Sequence, residues 1–511
     1  MKTGEILVID LFAGPGGLGE GISFCRHKNG NYPFKIGVSV EKESSAHKTL
    51  TTRAFYRKIK DNPTALKDYF LYLEGEISRQ ELFQHYPSEA SKAHNETLDK
   101  PRALGEDNIL IHERIKKLTE KHKGPKVVIG GPPCQAYSLA GRTRNAGIKD
   151  YRAENDHRNF LYKEYLEVLS IAQPDVFVME NVRGILSAKV NGELIFPKIL
   201  DDLREPGKIT NRLGVKGYKI YSLVKKARDL NSPNYTDFDD FIIKSEQYGI
   251  PQARHRVILL GVRDDIKQVP QILTPVEKTV TVEQVLFDLP PLRSGFSKRK
   301  DDEREWRNIV ESNAQKVQEY LEDVFGWNAV RTLEIKPFKG LKRSEKEKTT
   351  NLSSNIPAYL QEWYLKNAPR IVLNHETRGH MEEDLVRYAF SSAYTYLNDG
   401  ISPKSRDFPK NLAPAHENWN TGTHSDRFRT QAANKCATTV TSHISKDGHY
   451  FIHYDPRQCR SLTVREAARL QTFPDNYVFE GNRTQQYVQV GNAVPPYLAR
   501  QIGEIVLNLL E

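Results

Sequence analysis

The sequence contains little cysteine and no long apolar run. Only four cysteines occur in 511 residues, without CxxC spacing, which argues against a disulfide-rich secreted scaffold and against a structural zinc site. No stretch approaches the roughly 18 uninterrupted apolar residues of a membrane helix. The apolar run in the N-terminal MKTGEILVIDLF is too short for the core of a signal peptide. We therefore expect a soluble cytoplasmic protein without a membrane partner or a bound metal.

Acidic residues are fewer than basic ones. The chain has 75 Lys and Arg against 65 Asp and Glu, which gives a formal net charge of +10 and a pI near 9.1. A basic balance favours an anionic partner such as nucleic acid. The composition, with 38% apolar and 10% aromatic residues, is ordinary for a globular protein, and the length predicts two domains.

A glycine-rich turn follows the first apolar run. The stretch EILVIDLFAGPGGLGEGI predicts a strand, a tight turn and a helix, and Gly14, Gly16 and Gly19 match the GxGxxG pattern. That pattern alone fits nicotinamide, flavin and S-adenosylmethionine (SAM) sites. The next apolar run, KIGVSVE, ends on Glu41, which is placed to accept hydrogen bonds from ribose hydroxyls, although a solvated carboxylate is the alternative.

Strands and helices alternate through the first half of the chain. After a polar, helix-rich insertion at about 53–105, KVVIGG (126–131) predicts a strand, 157–173 a helix, and PDVFVMENVRG a strand ending at Glu180. This alternation indicates a doubly wound α/β domain, in which ligands bind at the carboxyl ends of the strands. The residues expected to meet at this edge are Gly14, Glu41, Cys134 and Glu180.

The pattern changes in the second half. We predict a first domain at 1–261, a second, smaller domain at 262–445, and a C-terminal segment at 446–511 that returns to the first domain. In that last segment, Asp447-Gly448 between two apolar runs suggests a hairpin, and Thr463 with Glu466 forms a capping-box pattern. Leu498, Ile502, Ile505 and Leu509 recur at helical spacing.

Cys134 lies in the unusual context GGPPCQAYS. Most lone cysteines are small buried hydrophobic residues. A buried cysteine does not require two glycines and two prolines before it, whereas a nucleophile needs a fixed backbone that exposes its sulfur at a crevice. We therefore interpret Cys134 as a nucleophile whose thiolate is favoured by neighbouring arginines.

Six motifs together resemble the DNA (cytosine-5)-methyltransferases, which use SAM. They are DLFAGPGG (10–17), GGPPCQAYS (130–138), ENVRG (180–184), QYGIPQARHRVILLG (247–261), SLTVREAARLQTFP (461–474) and QVGNAVPP (489–496), in the family's order. The resemblance implies a Rossmann-like SAM-dependent methyltransferase domain with a smaller target-recognition domain at 262–445. It also implies methyl transfer to carbon 5 of cytosine in a specific duplex DNA sequence.

The resemblance assigns the catalytic roles. Cys134 would add to carbon 6 of the cytosine, and Glu180 would protonate or hydrogen-bond ring nitrogen 3. Arg256 would contact the O2 oxygen, while Arg254 would support the thiolate and a nearby phosphate. The sequence does not identify the base that removes the carbon-5 proton.

The same resemblance implies the cofactor contacts. Phe12 would lie against the adenine, the glycine turn around the methionine portion, and Glu41 on the ribose, while Asn492 and Val494 would close the site. The turn glycines concerned are Gly14, Gly16 and Gly17. The acid expected at the adenine amino group aligns with either Asp107 or Asn108, and Lys42 stands where some family members have an aromatic residue.

A cytosine inside a duplex must be flipped out before carbon 6 can react. We predict that 139–156, which includes Arg142 and Arg144, is a loop that closes over the DNA backbone, although a solvated loop is equally compatible. In HSDRFR (424–429), Arg427 is a candidate DNA contact. We expect a monomer that protects DNA in a restriction-modification system, with a separate endonuclease as its partner.

Three other functions fit parts of the sequence. An RNA cytosine-5 methyltransferase would use similar chemistry, but its relatives have a smaller recognition domain than the roughly 180 residues here. A nicotinamide dehydrogenase explains GxGxxG but not Cys134, Glu180 or QARHR. A non-catalytic DNA-binding protein on the same scaffold disagrees with the complete set of catalytic residues.

Overall fold

A computed structural model of the chain describes residues 4–133, 161–190, 192–229, 232–347, 356–415, 419 and 425–511. The strands of these ranges are β1 (Ile6–Leu11), β2 (Phe34–Val40), β3 (Lys126–Gly130), β4 (Val176–Val182), β5 (Lys189–Val190), β6 (Glu193–Leu194), β7 (Tyr218–Ser222), β8 (Ile242–Lys244), β9 (Gln252–Ala253), β10 (His255–Arg263), β11 (Gly295–Phe296), β12 (Gly379–His380) and β13 (Ala437–Thr438).

The α-helices of the described ranges are α1 (Gly17–Ser23), α2 (Ser44–Ile59), α3 (Pro63–Glu74), α4 (Arg79–His85), α5 (Pro87–Glu96), α6 (Asn108–Lys121), α7 (Leu161–Ala172), α8 (Ile195–Arg204), α9 (Pro206–Ile209), α10 (Val282–Leu286), α11 (Glu303–Phe325), α12 (Trp327–Val330), α13 (Ala358–Leu365), α14 (Glu382–Leu397), α15 (Val464–Leu470), α16 (Arg483–Asn492) and α17 (Pro496–Leu510). Short 3-10 helices include Arg183–Ser187, Phe238–Phe241, Ser245–Tyr248, Ser405–Asp407, Lys410–Leu412, Ser442–Ser445 and His449–Phe451. No helix in this described part of the chain has the length and hydrophobicity needed to cross a membrane.

The chain divides into two compact units. Unit 1 contains residues 1–248, 254–276 and 493–511, and unit 2 contains residues 249–253 and 277–492. The sequence predicts a return of 446–511 to the first domain; residues 493–511 belong to unit 1, and residues 446–492 belong to unit 2. Long-range polar contacts explain this assignment, because the buried Arg469 of α15 pairs with Asp288, and the Arg465 guanidinium donates to the carbonyl of Leu373 at 2.9 Å.

Unit 1 is built around a seven-stranded mixed sheet in the order β2-β1-β3-β4-β10-β7, with β8 also paired to β10. The first four strands in that order are parallel, while β10 runs antiparallel to β4 and to β7. Strands β2 and β3 lie on opposite sides of β1, so the order of the strands reverses at β1. This reversal creates a topological switch point between β1 and β3, where ligands bind in open α/β sheets.

Apolar side chains of the strands and helices form the core of unit 1. Buried residues of this cluster include Ile9, Val128, Phe177, Leu169, Ile199 and Leu259. The predicted helix at 157–173 is described as α7 over Leu161–Ala172, and its positions Leu161, Tyr165, Leu169 and Ala172 are all buried. The 3.6-residue spacing therefore marked the core-facing side of this helix correctly.

The insertion predicted at about 53–105 is helical, as expected, and is formed by the C-terminal part of α2 together with α3–α5. A buried ion pair joins it to the rest of unit 1, since Arg53 Nε donates to Glu20 Oε2 of α1 at 2.9 Å. Helix α1 also packs closely on the C-terminal helix α17. A Cβ at Gly21 would lie 2.1 Å from the carbonyl oxygen of Pro496, so only glycine permits this approach.

Unit 2 contains its own apolar core, to which α11 and α14 contribute. Trp306 is fully buried there, and its indole N–H donates to Ser294 Oγ at 3.0 Å. The predicted capping box is present at the start of α15, where the Thr463 hydroxyl accepts from the Glu466 amide. The hairpin predicted at Asp447-Gly448 is wrong: Gly448, with φ 82°, separates two 3-10 helices at Ser442–Ser445 and His449–Phe451.

Candidate active site at the carboxyl edge of the sheet

Four neighbouring parallel strands of unit 1 end at one edge of the sheet, and three of them bring an acidic side chain there. Asp10 lies near the end of β1, Glu41 directly after β2, and Glu180 near the end of β4. Between them, β3 ends at Gly130 and continues into Gly131-Pro132-Pro133. The structure thus brings together three of the four strand ends expected from the sequence. The fourth residue, Cys134, lies outside the described residues.

The glycine-rich turn after β1 is held by Glu41. The Gly14 amide donates to Glu41 Oε2 at 2.8 Å, and the Glu43 amide donates to Oε1 at 2.7 Å. Burial raises the pKa of Glu41, and these two backbone amides oppose that rise. Positive φ angles allow the sharp turn, at 54° for Phe12, 58° for Gly14 and 98° for Gly16. For Phe12 this conformation is strained, a feature that concentrates at functional sites.

The start of α1 meets the C-terminal segment of unit 1. A Cβ at Gly17 would lie 2.2 Å from the carbonyl oxygen of Val494, so the two backbones are in direct contact. Gly17 and Val494, which the resemblance assigns to one cofactor site, are 477 positions apart in the chain and are therefore neighbours only in the fold. Asn492, the third residue assigned with them from this region, is the last residue of α16 and belongs to unit 2.

The alternatives Asp107 and Asn108 both lie where the loop before α6 ends. Asp107 accepts from the Ala103 amide at 2.9 Å and pairs with Arg102 at 3.0 Å, and the Arg102 amide donates to the Glu41 carbonyl at 2.8 Å. The Asn108 side chain accepts from Gly105 and donates to Glu164, each at 2.7 Å. This loop is thus tied to the end of β2, beside the glycine turn.

Glu180 pairs with an arginine of the adjacent strand. Its Oε1 lies 2.9 Å from Nε of Arg256, and both side chains are largely buried. A Cβ at Gly131 would lie 2.8 Å from Glu180 Oε2, so the segment leading to Cys134 passes directly over this carboxylate. A side chain at position 131 would collide with the carboxylate in its present position.

Arg254 precedes β10 and lies outside the strand. Burial lowers the pKa of Arg254 well below its usual range, and the like charge of Arg256 adds to this effect while Glu180 opposes it. Burial also lowers the pKa of Arg256, against the attraction of Glu180. The charge of Glu180 therefore raises the pKa of both guanidinium groups against the effect of burial. Of the two arginines, only Arg256 lies in β10, which begins at His255.

Asp10 is a buried acid of β1 to which the sequence patterns assigned no role. The residue is 1% exposed, and neither carboxylate oxygen has a hydrogen-bond partner among the described residues. Burial raises its pKa to about 8, with opposing attraction from Arg57 and further repulsion from Glu96 and Glu41. The available signal was an acidic residue inside an otherwise apolar strand, directly before the glycine turn.

Of the three arginines predicted to contact DNA, the structure describes one. Arg427 belongs to unit 2, where it pairs with Asp447 at 3.0 Å and is about one-third exposed. Arg142 and Arg144 lie outside the described residues.

Within the described ranges, no group of three or more His, Cys, Asp or Glu side chains is arranged to hold a metal ion.

Known proteins are similar to this chain in sequence. The chain is 33% identical over 524 aligned residues to the type II methyltransferase M.Bpa9945I of Bacillus paralicheniformis, with 99% of each chain covered. It is 27% identical over 393 residues to the type II methyltransferase M.DdeI of Desulfomicrobium norvegicum, covering 74% of this chain and 71% of that protein.

A solved structure supports the fold, and a family model covers most of the chain. A protein described as a DNA modification methyltransferase encoded within an E. coli prophage matches with a TM-score of 0.50 and 21% identity, over 99% of both chains. Together with the mixed sheet, this confirms the predicted Rossmann-like α/β methyltransferase fold. The model for C-5 cytosine-specific DNA methylases matches residues 106–508. The chain therefore belongs to the C-5 cytosine-specific DNA methylase family, and it is an enzyme of the DNA (cytosine-5-)-methyltransferase class.

Proposed function

We propose that this enzyme transfers the methyl group of SAM to carbon 5 of a flipped-out cytosine in a specific duplex DNA sequence, through a covalent adduct with Cys134. The observation that supports this most directly is the Glu180–Arg256 pair at the end of β4, 2.9 Å apart, beneath the segment that leads to Cys134. An acid and a cation thus lie beside the segment that leads to the proposed nucleophile, and activation of a cytosine ring requires groups of these three kinds.

The glycine turn fits SAM. No atom lies within 4 Å of the position that a Cβ would take at Gly14, which leaves room beside the turn. Glu41 offers carboxylate oxygens for ribose hydroxyls, and Phe12 offers a ring that is partly exposed for the adenine. The contact of Val494 with Gly17 closes the turn from the C-terminal side. When bound, SAM supplies an electrophilic methyl group.

The protein's own groups would activate the base. The Cys134 thiolate adds to carbon 6 and forms a carbon–sulfur bond, which places electron density on the ring. Glu180 delivers a proton or a hydrogen bond to nitrogen 3, and Arg256 stabilises the charge that develops at O2. Carbon 5 becomes nucleophilic and takes the methyl group, whose bond to the sulfonium sulfur of SAM breaks to leave a neutral thioether. Loss of the carbon-5 proton and expulsion of Cys134 then restore the aromatic ring.

Unit 2 is the proposed target-recognition domain. It contains the predicted DNA contact Arg427, and the sequence predicts target recognition for 262–445, which overlaps it extensively. Arg142 and Arg144 would hold the DNA backbone around the flipped base. Contacts of this kind offset the few kcal/mol that base flipping costs.

Transfer of labelled methyl from SAM to unmethylated duplex DNA tests this proposal, in the wild type, in Cys134→Ser and in the control Cys436→Ser. We expect transfer by the wild type and the control only, and sequencing of the modified cytosines would give the target. A duplex with 5-fluorocytosine at that position should retain the enzyme on a denaturing gel, because fluorine cannot leave as a proton does. Transfer by Cys134→Ser would refute the covalent step, and a preference for RNA would support the alternative substrate.

We also propose that this methylation protects DNA from a cognate endonuclease encoded separately. The support is the type II designation carried by the relatives. DNA from cells that express the chain should resist an endonuclease that cuts at the sequenced target, while DNA from cells expressing Cys134→Ser should be cut. Cleavage of both DNAs would contradict this role.

A further inference from the structure

A basic cleft lies within unit 2. Its volume is about 380 Å³, and its polar lining includes Arg343, Arg378, Ser445, Lys446, Arg483 and Thr484. All of these residues belong to unit 2. With Ser297, four cations and three serine or threonine hydroxyl groups line one concave surface, and no carboxylate of the described residues lines it.

The central arginine of the cleft is fixed in place. Arg378 is 8% exposed, and its two terminal nitrogens donate to the carbonyls of Ile444 and Lys446, each at 2.6 Å. Its guanidinium carbon lies 4.5 Å from the centre of the Tyr487 ring. Its third nitrogen, Nε, is buried and has no hydrogen-bond partner among the described residues. Since the guanidinium is already ordered, a ligand would bind without paying for its immobilisation.

The acids near the cleft do not neutralise it. Arg483 pairs at 3.1 Å with Glu376, whose side chain is 57% exposed. The nearest acid to Arg343 is Asp301 at 4.0 Å, and Asp301 forms its closer contacts with Arg293. Burial lowers the pKa of the adjacent His380, and the charges of Arg378 and Arg483 contribute to that shift. The electrostatic potential in the cleft is therefore positive.

We propose that this cleft binds a phosphodiester group of the DNA backbone and so fixes the position of unit 2 on its substrate. Guanidinium groups and hydroxyls are the usual partners of DNA phosphates. The predicted DNA contact Arg427 pairs with Asp447, the residue after Lys446, so the same turn connects both features. The assignment of the phosphate to DNA, rather than to free phosphate, rests on the proposed function.

The double variant Lys446→Gln/Arg483→Gln tests the cleft without removing the buried Arg378. Its binding to target and non-target duplexes is measured across a series of salt concentrations. Because about one counterion is released per neutralised phosphate, the slope of log K against log salt should fall by about one. Binding at low salt should weaken about tenfold, equally for both duplexes, because a phosphate contact carries no sequence information.

The matched control is Arg304→Gln/Lys316→Gln, which removes one Arg and one Lys from exposed positions on α11 of the same unit. Its salt slope should equal that of the wild type. An equal loss of slope in the control would refute the cleft, because general charge would then explain the effect. A loss confined to the target duplex would also refute it, in favour of base reading.

Two further measurements separate the alternatives. If inorganic phosphate binds the wild type but not the cleft variant, while the DNA salt slopes are the same, the cleft binds free phosphate and the DNA assignment is wrong. Methyl transfer is assayed on the same wild-type preparation. A wild type that transfers no methyl group would refute the proposed function, whereas a reduced slope in the variant would still support the phosphate cleft.

Discussion

Glu180 and Arg256 are diagonal neighbours across an antiparallel strand pair. Glu180 of β4 lies opposite Ile258 of β10, and Arg256 lies opposite Val182. Side chains two positions apart on a strand share a face, so this register brings the carboxylate and the guanidinium together, at 2.9 Å. The pair would present an acid and a cation to the same face of a bound base.

The variant Glu180→Gln should slow methyl transfer by about 10²- to 10⁴-fold, the usual contribution of a general acid. Glutamine retains the shape but cannot deliver the proton, and it removes the charge that Arg256 faces. Single-turnover methyl transfer measures the rate, and calorimetry measures SAM binding, which should remain unchanged. Glu193→Gln, at an exposed position of unit 1, serves as the control. A normal rate for Glu180→Gln would contradict the proposed role.

The variant Gly131→Ala should slow the reaction about 10- to 100-fold, because small displacements of reacting groups have effects of this size. The new Cβ would lie 2.8 Å from Glu180 Oε2, and the flexible carboxylate would move away to relieve the clash. The melting temperature should therefore change little. At Gly4 a Cβ would meet no atom within 4 Å, so Gly4→Ala is the matched control. Equal rates in both variants would contradict this mechanism.

The buried carboxyl of Asp10 should make stability depend on pH. Its pKa is raised to about 8, so the folded state holds more protons than the unfolded state between about pH 4 and 8, and stability falls as the pH rises through this range. Asp10→Asn should remove this decline. Urea unfolding at several pH values measures the free energy of unfolding. Between about pH 4 and 8 this free energy should fall by at least about 1 kcal/mol more in the wild type than in Asp10→Asn, since one pKa unit corresponds to about 1.4 kcal/mol. Parallel pH profiles would disprove it.

A buried histidine should have the opposite effect at acidic pH. His375 is 3% exposed, its ring nitrogens contact Thr463 Oγ1 and the Pro290 carbonyl at 2.9 Å, and burial lowers its pKa to about 4. The unfolded state then binds more protons, so stability is lost as the pH falls from about 6.5 towards 4. His375→Gln should unfold with a shallower pH dependence in this range, as followed by circular dichroism. An unchanged dependence would show that His375 does not contribute.

Local sequence patterns predicted much of this molecule. The glycine turn after β1, the buried face of α7 and the capping box at Thr463 follow from residues close together in the chain, and the structure contains all three. The motifs also predicted the family. The hairpin at Asp447-Gly448 failed because a glycine in the left-handed region fits a helix start as well as a turn.

The sequence by itself determined the class of enzyme, because its motifs and strand ends are local features with fixed spacing. Tertiary structure alone decided the relationships that depend on register and burial. The antiparallel pairing of β4 with β10 set Arg256 against Glu180, and chain return at residue 493 brought Val494 to Gly17. The buried carboxyl of Asp10 and the basic cleft around Arg378 likewise arise from packing between distant segments, because burial of a charge is a property of the whole fold.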